Sequence, residues 1–238
     1  MSRLTGAGYQ QGLHLSRAEY WCYLPGMTHA TLIPEPAILY VAGDPALDLV
    51  NTVDWTSRGP EEERLGTYEQ LTHWGEGAGL LDAAAGRRLR RVASERPRAA
   101  AAALEYAHRT RATLRVLFGA IARGELPGDA LPRFNRLLAD AMERLEIVPE
   151  AASRGRVGYD WRWREQDSDP RAVVWQVIWS AASLLKSEEL GNVRMCDGDD
   201  CGWMYVDRSR NGLRRWCQMR TCGTREKTRR RRGAPTEV

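Results

Sequence analysis

Nothing in the 238 residues approaches the ~20 consecutive apolar residues of a membrane-spanning helix; the longest apolar runs, Ala37 to Ala42 and Ala99 to Leu104, are far too short. The first 27 residues carry Arg3 and Arg17 but no apolar block that could form the core of a signal peptide. This predicts a chain that is not exported, cytoplasmic and, if bacterial, nucleoid-associated. Histidine is scarce, with four residues at positions 14, 29, 73 and 108. Cysteine is scarce too, with five, and in a reducing compartment so few thiols point to a metal or to reactive sulfur rather than to disulfides. No internal repeat is present. What remains is a chain with 43% hydrophobic content, enough to bury a core as one large or two small domains.

The formal net charge of +4 conceals an uneven distribution. From Arg208 to Arg232 there are eleven basic residues against the single acid Glu226, a net of +10, so the rest of the chain carries −6. An acidic body with a basic end is the asymmetry of a protein that lays its C-terminus on a polyanion, most often nucleic acid. The candidate contacts are Arg208, Arg210, Arg214, Arg215, Arg220, Arg225, Lys227, Arg229 and Arg230. For the terminal run Arg229 to Arg232 alone, a solvated tail is an equal alternative.

Residues 1–33 show no sustained period and read as a poorly ordered leader, with Met27 a candidate true start. Pattern begins after Pro34, and residues 34–190 read as a mainly α domain with one small β-hairpin. Asp44-Pro45 pairs an N-cap acceptor with a proline at the first helical position, opening a helix that the spacing extends to about Trp55. Ser57 to Gly66 reads as a charged loop. Thr67 and Gln70 form a capping box for a second helix, Asp82 caps a third through Ser94, and Pro97 opens a fourth. In the fourth, Leu104, Ala107, Arg111, Leu114, Phe118 and Ile121 keep a helical period. Asp129 caps a fifth, with Leu131, Phe134, Leu138 and Met142 on one face. Ile147-Val148 and the alternating Val157 to Trp163 form the hairpin. Asp169-Pro170 starts a sixth helix whose Trp175 and Trp179 belong to the core.

Cys196, Cys201, Cys217 and Cys222 have the spacing C-x4-C, fifteen residues, C-x4-C. Two close pairs joined by a short excursion suit one tetrahedral Zn2+, each pair acting as a local clamp, and four thiolates leave no open position for catalysis. Reduced core cysteines or two disulfides are the alternatives, and Cys22 lies outside the pattern. Trp203 to Val206 reads as a strand returning through Leu213 to Trp216, and Gln218 to Arg232 is helix-compatible. Knuckle, hairpin and helix describe a treble-clef finger over residues 191–238. Asp207 and Asn211 fit the organisation of its turn, and Trp203 and Trp216 fit packing beneath it.

These residues carry a family resemblance. Cys196 and Cys201 followed by Asp207, Ser209 and Asn211, then Arg215-Trp216-Cys217 and Cys222-Gly223-Thr224-Arg225, resemble the CGNR zinc-finger family. Its members carry an N-terminal ABATE domain and are described as stress-induced transcription regulators. Leu47-Asp48-Leu49-Val50-Asn51-Thr52 with Trp55, then Tyr68 and Leu71 to Trp74, are similar to the opening of that domain. The likeness spans about residues 36–232. It implies zinc on the four cysteines and DNA binding by the finger. Thr224 stands where the family signature has Asn, and Pro45 and Ala46 replace the usual Leu and Cys.

The expected function is that of a zinc-dependent, DNA-binding transcription regulator. The finger grips double-stranded DNA, while the helical domain senses an unidentified small ligand or forms a homodimer. An RNA-binding or protein-interaction module is the alternative. An enzyme is not expected: the histidines lie outside the finger, whose cysteines would already fill the metal shell. Asp48, Asn51, Asp54 and Trp55 form a polar cluster that serves either a ligand or the structure.

Overall fold

The computed structural model describes residues 39–56, 58–153 and 156–233. The leader expected over residues 1–33, and Met27 with it, lie outside them. Helix α1, Pro45–Val50, begins as the sequence predicts, with the Asp44 side chain accepting from the Ala46 N–H at 2.8 Å. It ends earlier than Trp55. The Thr52 hydroxyl donates to Leu49 O at 2.7 Å, and the Trp55 indole N–H donates to Val50 O at 2.7 Å. Side chains thus satisfy carbonyls that another helical turn would have taken. The β-rich residues that follow form strand β1, Val53–Thr56, antiparallel to β2, Gly59–Glu63. The charged loop predicted over 57–66 is therefore mostly the second arm of a hairpin.

The next helices follow their local signals. The Thr67–Gln70 capping box opens α2, Tyr68–Gly77, and Asp82 caps α3, Ala83–Glu95, by accepting from the Ala85 N–H at 2.7 Å. Pro97 opens α4, Pro97–Ala122, whose Ala103, Ala107, Leu114, Leu117 and Phe118 are buried. Helix α5, Ala130–Met142, starts after Asp129, but that side chain makes no capping bond. Strands β3, Leu145–Ser153, and β4, Arg156–Trp163, form the expected hairpin. Helix α6, Ala172–Lys186, starts two residues later than Asp169-Pro170 suggests. The Asp169 carboxylate accepts from the Arg171 N–H and guanidinium, which anchors the turn before the helix. Trp175 is fully buried, whereas Trp179 sits at the core's edge against Trp161.

Strand β5, Val193–Met195, pairs antiparallel with β6, Met204–Val206. The return strand expected over Leu213 to Trp216 does not form, because β6 has β5 on one edge while the Asn51 amide and Ala42 O take the backbone groups of the other. That segment is tied down irregularly, with Arg214 O accepting from the Tyr205 hydroxyl at 2.6 Å and Arg215 O from the Asp197 N–H at 2.8 Å. The hairpin therefore flanks the first cysteine pair rather than linking the two pairs. A π-type turn, Met219–Gly223, leads into α7, Thr224–Gly233.

One core runs through both halves of the molecule. Leu47, Leu49 and Val50 of α1 are fully buried among α4, α6 and β6, and Met204, Tyr205 and Val206 belong to the same cluster. At roughly 1.5–3 kcal/mol per buried aliphatic side chain, the short α1 stabilises the fold out of proportion to its six residues.

Candidate metal centre and basic helix

The fold brings the four predicted ligands together. The sulfurs of Cys196, Cys201, Cys217 and Cys222 all lie within 4.8 Å of one another. Cys201 and Cys217 are 3.9 Å apart, Cys217 and Cys222 3.6 Å, and all four are free thiols. A tetrahedral zinc with Zn–S bonds of ~2.3 Å requires sulfurs ~3.8 Å apart, so the cluster can hold one zinc ion. Cys196 Sγ accepts from the Gly198 N–H at 3.3 Å and the Cys217 N–H at 3.2 Å. The neighbouring thiols, Cys201 first, together with the Cys217 N–H hold Cys196 far below the ordinary thiol range. Glycine at 198 leaves the room this approach needs, since a Cβ there would stand 3.0 Å from both Cβ and Sγ of Cys222 and press on that ligand. Among the described residues this is the only group of three or more His, Cys, Asp or Glu side chains arranged for a metal.

The polar cluster at the other end of the sequence lies against the finger. The Asn51 amide bonds both ways to Met204, its nitrogen donating to Met204 O at 2.8 Å and its oxygen accepting from Met204 N at 3.0 Å. It thereby completes the free edge of β6 as a neighbouring strand would. Ala42 O accepts from Val206 N at 2.8 Å and Trp55 O from Gly202 N at 2.7 Å. Asp48 secures the first of these contacts by accepting from the Ala42 N–H at 3.0 Å, and burial pushes its carboxyl up to about 6. Asp54 receives both terminal nitrogens of Arg64 at 2.9 and 2.8 Å, and Arg64 in turn lies over the Trp203 ring.

Sequence reasoning missed three arginines here. Arg111 donates to Thr52 and to both oxygens of Glu63, Arg64 clamps Asp54, and Arg115 donates to Gly202 O while stacking 4.9 Å over Trp55. The place of Arg111 inside the apolar stripe of α4 was the available sign, because an arginine on a core face must find buried acceptors.

The nine predicted nucleic-acid residues divide into two groups. Arg208 is tied to Glu189 and to Gly43 O, and Arg215 to Asp197. Arg214 is wholly committed, donating to Val41 O, Trp216 O and Cys217 O with its guanidinium 4.0 Å over the Tyr205 ring. Arg210, Arg220, Arg225 and Lys227 are exposed. Arg229 and Arg230 are exposed but share Glu226, each at 3.0 Å. From Thr224 to Arg232, Glu226 is the only residue of α7 not exposed to solvent. Thr224, at the family's Asn position, donates its hydroxyl to Met219 O at 3.1 Å across the π-type turn. Asp207 and Asn211 organise the intervening turn as expected: Asp207 accepts from Ser209 N and Arg214 N, and Asn211 from Leu213 N. Trp203 and Trp216 pack rather than project, with the Trp203 indole donating to Val53 O at 3.1 Å.

A helical domain whose first motif closes the edge of a four-cysteine finger defines the class, a two-part zinc-finger protein. Residues 43–188 match the model of the ABATE family, described as "Putative stress-induced transcription regulator", and residues 192–233 match that of the CGNR zinc finger. The first match covers more than half of the chain, and the protein belongs to the ABATE family, with a CGNR zinc finger at its C-terminal end. A comparison with curated proteins gives no match. Among the described residues no helix is long and apolar enough to cross a membrane.

Proposed function

We propose that the protein is a DNA-binding transcription regulator without enzymatic activity, in which zinc fixes the base of α7 and α7 carries the contact to duplex DNA. The observation that supports this reading is the state of α7 itself. From Thr224 to Arg232 the helix, carrying Arg225, Lys227 and Arg229 to Arg232 against one acid, stands in solvent with Glu226 as its sole inward anchor. So short a helix is marginal alone, and four consecutive arginines repel one another. Pinning by Cys222 at its start and the Glu226 pairs hold it, and a row of phosphates would relieve the remaining repulsion. A small ligand of the ABATE domain would act from the cleft of about 320 Å3 lined by Trp55, Arg64, Trp203, Cys201 and Arg225.

The test is fluorescence anisotropy of a labelled random duplex across a salt series, with zinc-loaded protein and with Cys217→Ser. With Arg225, Lys227, Arg231 and Arg232 each neutralising a phosphate, log K falls against log salt with a slope of about −3 to −4. The variant is expected to lose that binding. Equal binding by both proteins would assign the affinity to an unstructured arginine run and overturn the role of the finger. Tighter binding to structured RNA at equal salt would replace the DNA reading with an RNA one.

A further inference from the structure

The β3–β4 hairpin is amphipathic, and its apolar face outruns the body it packs on. Leu145 and Trp163 face each other at its base, where Trp163 stacks on the buried Trp175. The next pairs on the same face are Ile147 with Trp161 and Pro149 with Tyr159. Ile147 is 61% exposed, Trp161 55% and Tyr159 69%. At the ~150–250 Å2 carried by an aromatic side chain, this leaves on the order of 400 Å2 of contiguous apolar surface, a patch of the size that marks interaction sites.

The two edges of the hairpin are not equivalent. Arg164 N donates to Arg144 O, so in this register the even-numbered residues of β4 bond to β3 and Tyr159, Trp161 and Trp163 turn their N–H and C=O groups outward. On β3 the outward positions include Pro149, which has no N–H to offer and ends pairing on that side. On β4, no backbone group among the described residues bonds to Tyr159 or Trp161. The outward Trp161 N–H is instead taken by its own neighbour's side chain, Asp160 Oδ1 at 2.7 Å.

We propose that two copies of the chain join through the outer edge of β4, giving a four-stranded antiparallel sheet with its two-fold axis at Trp161. Charge selects that register. Centred on Asp160, the pairing would set Asp160 against the partner's Asp160. Centred on Trp161, it sets Asp160 opposite the partner's Arg162 twice over, aligns Tyr159 with the partner's Trp163, and lets the Trp161 N–H exchange Asp160 for a backbone carbonyl. Edge pairing covers the backbone and the flanks of Tyr159, Trp161 and Trp163 rather than the open face of the patch, so the interface is small and the dimer is weak and concentration-dependent. It would present two fingers per particle, but it does not depend on the fingers binding DNA.

The test is sedimentation equilibrium of the zinc-loaded full chain up to roughly 300 µM, a range that covers micromolar dissociation constants. Wild type is expected to dimerise. Arg162→Asp places like charges at both ends of the pairing, as does Asp160→Arg, so each variant alone should dissociate at least ~tenfold more readily. Mixed in equal amounts, the two variants should recover the dimer, since each heterodimer again opposes unlike charges at both ends. That recovery also shows both variants folded. A monomeric wild type, variants that dimerise like wild type, or a mixture of variants with native circular dichroism that fails to recover would each overturn the proposal.

Discussion

The two ends of the zinc finger use the same residue types for opposite purposes. At its β6 end, the outer backbone edge is closed: Asn51 closes Met204, Ala42 closes Val206, Trp55 closes Gly202, and Arg214 directs its guanidinium to three carbonyls and a tyrosine ring. At the α7 end, Arg225, Lys227, Arg231 and Arg232 stand in water. Arginine count alone therefore says little about nucleic-acid contact. What separates Arg214 from the α7 residues is that part-buried backbone acceptors lie within its reach, because a guanidinium near them is drawn inward by the cost of leaving them unpaired.

The largest effect is expected on the docked side. Asn51→Ala leaves both the N–H and the C=O of Met204 buried without partners, at ~1–3 kcal/mol each, so urea denaturation should show a loss of about 3–5 kcal/mol. A change outside that edge, Asn211→Ala, touches only the exposed turn after β6 and should cost about 0.5 kcal/mol or less. Comparable losses from the two substitutions would erase the distinction between the closed edge and the exposed surface.

A smaller effect should separate them by pH. The folded Asp48 carboxyl titrates near 6, raised by burial, against ~3.9 in the unfolded chain. The native state therefore holds a proton that the unfolded state has released. Asp48 contributes its full stability below about pH 4 and loses it as pH rises through 6, by roughly 2–3 kcal/mol. Asp48→Asn keeps an acceptor for the Ala42 N–H and cannot ionise. The stability difference between variant and wild type should grow from pH 4 to pH 7 and then level off. A difference independent of pH would show that Asp48 is not desolvated by the docked finger.

The smallest effect on stability marks the projecting side. Arg231→Gln should leave the melting temperature unchanged within error and reduce the salt slope of duplex binding by ~0.9. Arg214→Gln should do the reverse, lowering stability by about 2–4 kcal/mol through three orphaned carbonyls while leaving the slope nearly intact.

What the sequence disclosed follows the range of the interactions involved. The capping box at Thr67 and Gln70, the Asp82 cap, the proline at 97 and the period of α4 are local, and those helices lie where the residues place them. The cysteine spacing is local within each pair, and its clamp geometry carried across the intervening loop. The end of α1 was not legible, because the Trp55 indole and the pairing with β2 take over where helical spacing would continue. The partner of β6 was misread for a related reason: Val193 to Met195 precedes the first cysteine, so the motif offered no cue to it. Asn51 was visible as part of a polar cluster, but its partner lies 153 residues away. The basic end was readable as a sum of charge and not as an assignment of roles, since Arg208, Arg214 and Arg215 differ from Arg225 only in what the fold sets beside them.

The amide of Asn51 also bears on modularity. A finger whose strand edge is completed by the domain preceding it is not a portable cassette. Residues 192–233 grafted onto another protein would carry Trp203, Met204 and Val206 into solvent together with an open β-edge, inviting aggregation. The described residues of the helical part and the finger belong to one compact unit, and in the calorimeter the zinc-loaded chain should melt in a single transition. A substitution that loosened the Asn51 amide or the flanking Ala42 and Trp55 carbonyls would therefore be felt in the finger as the loss of a neighbouring strand.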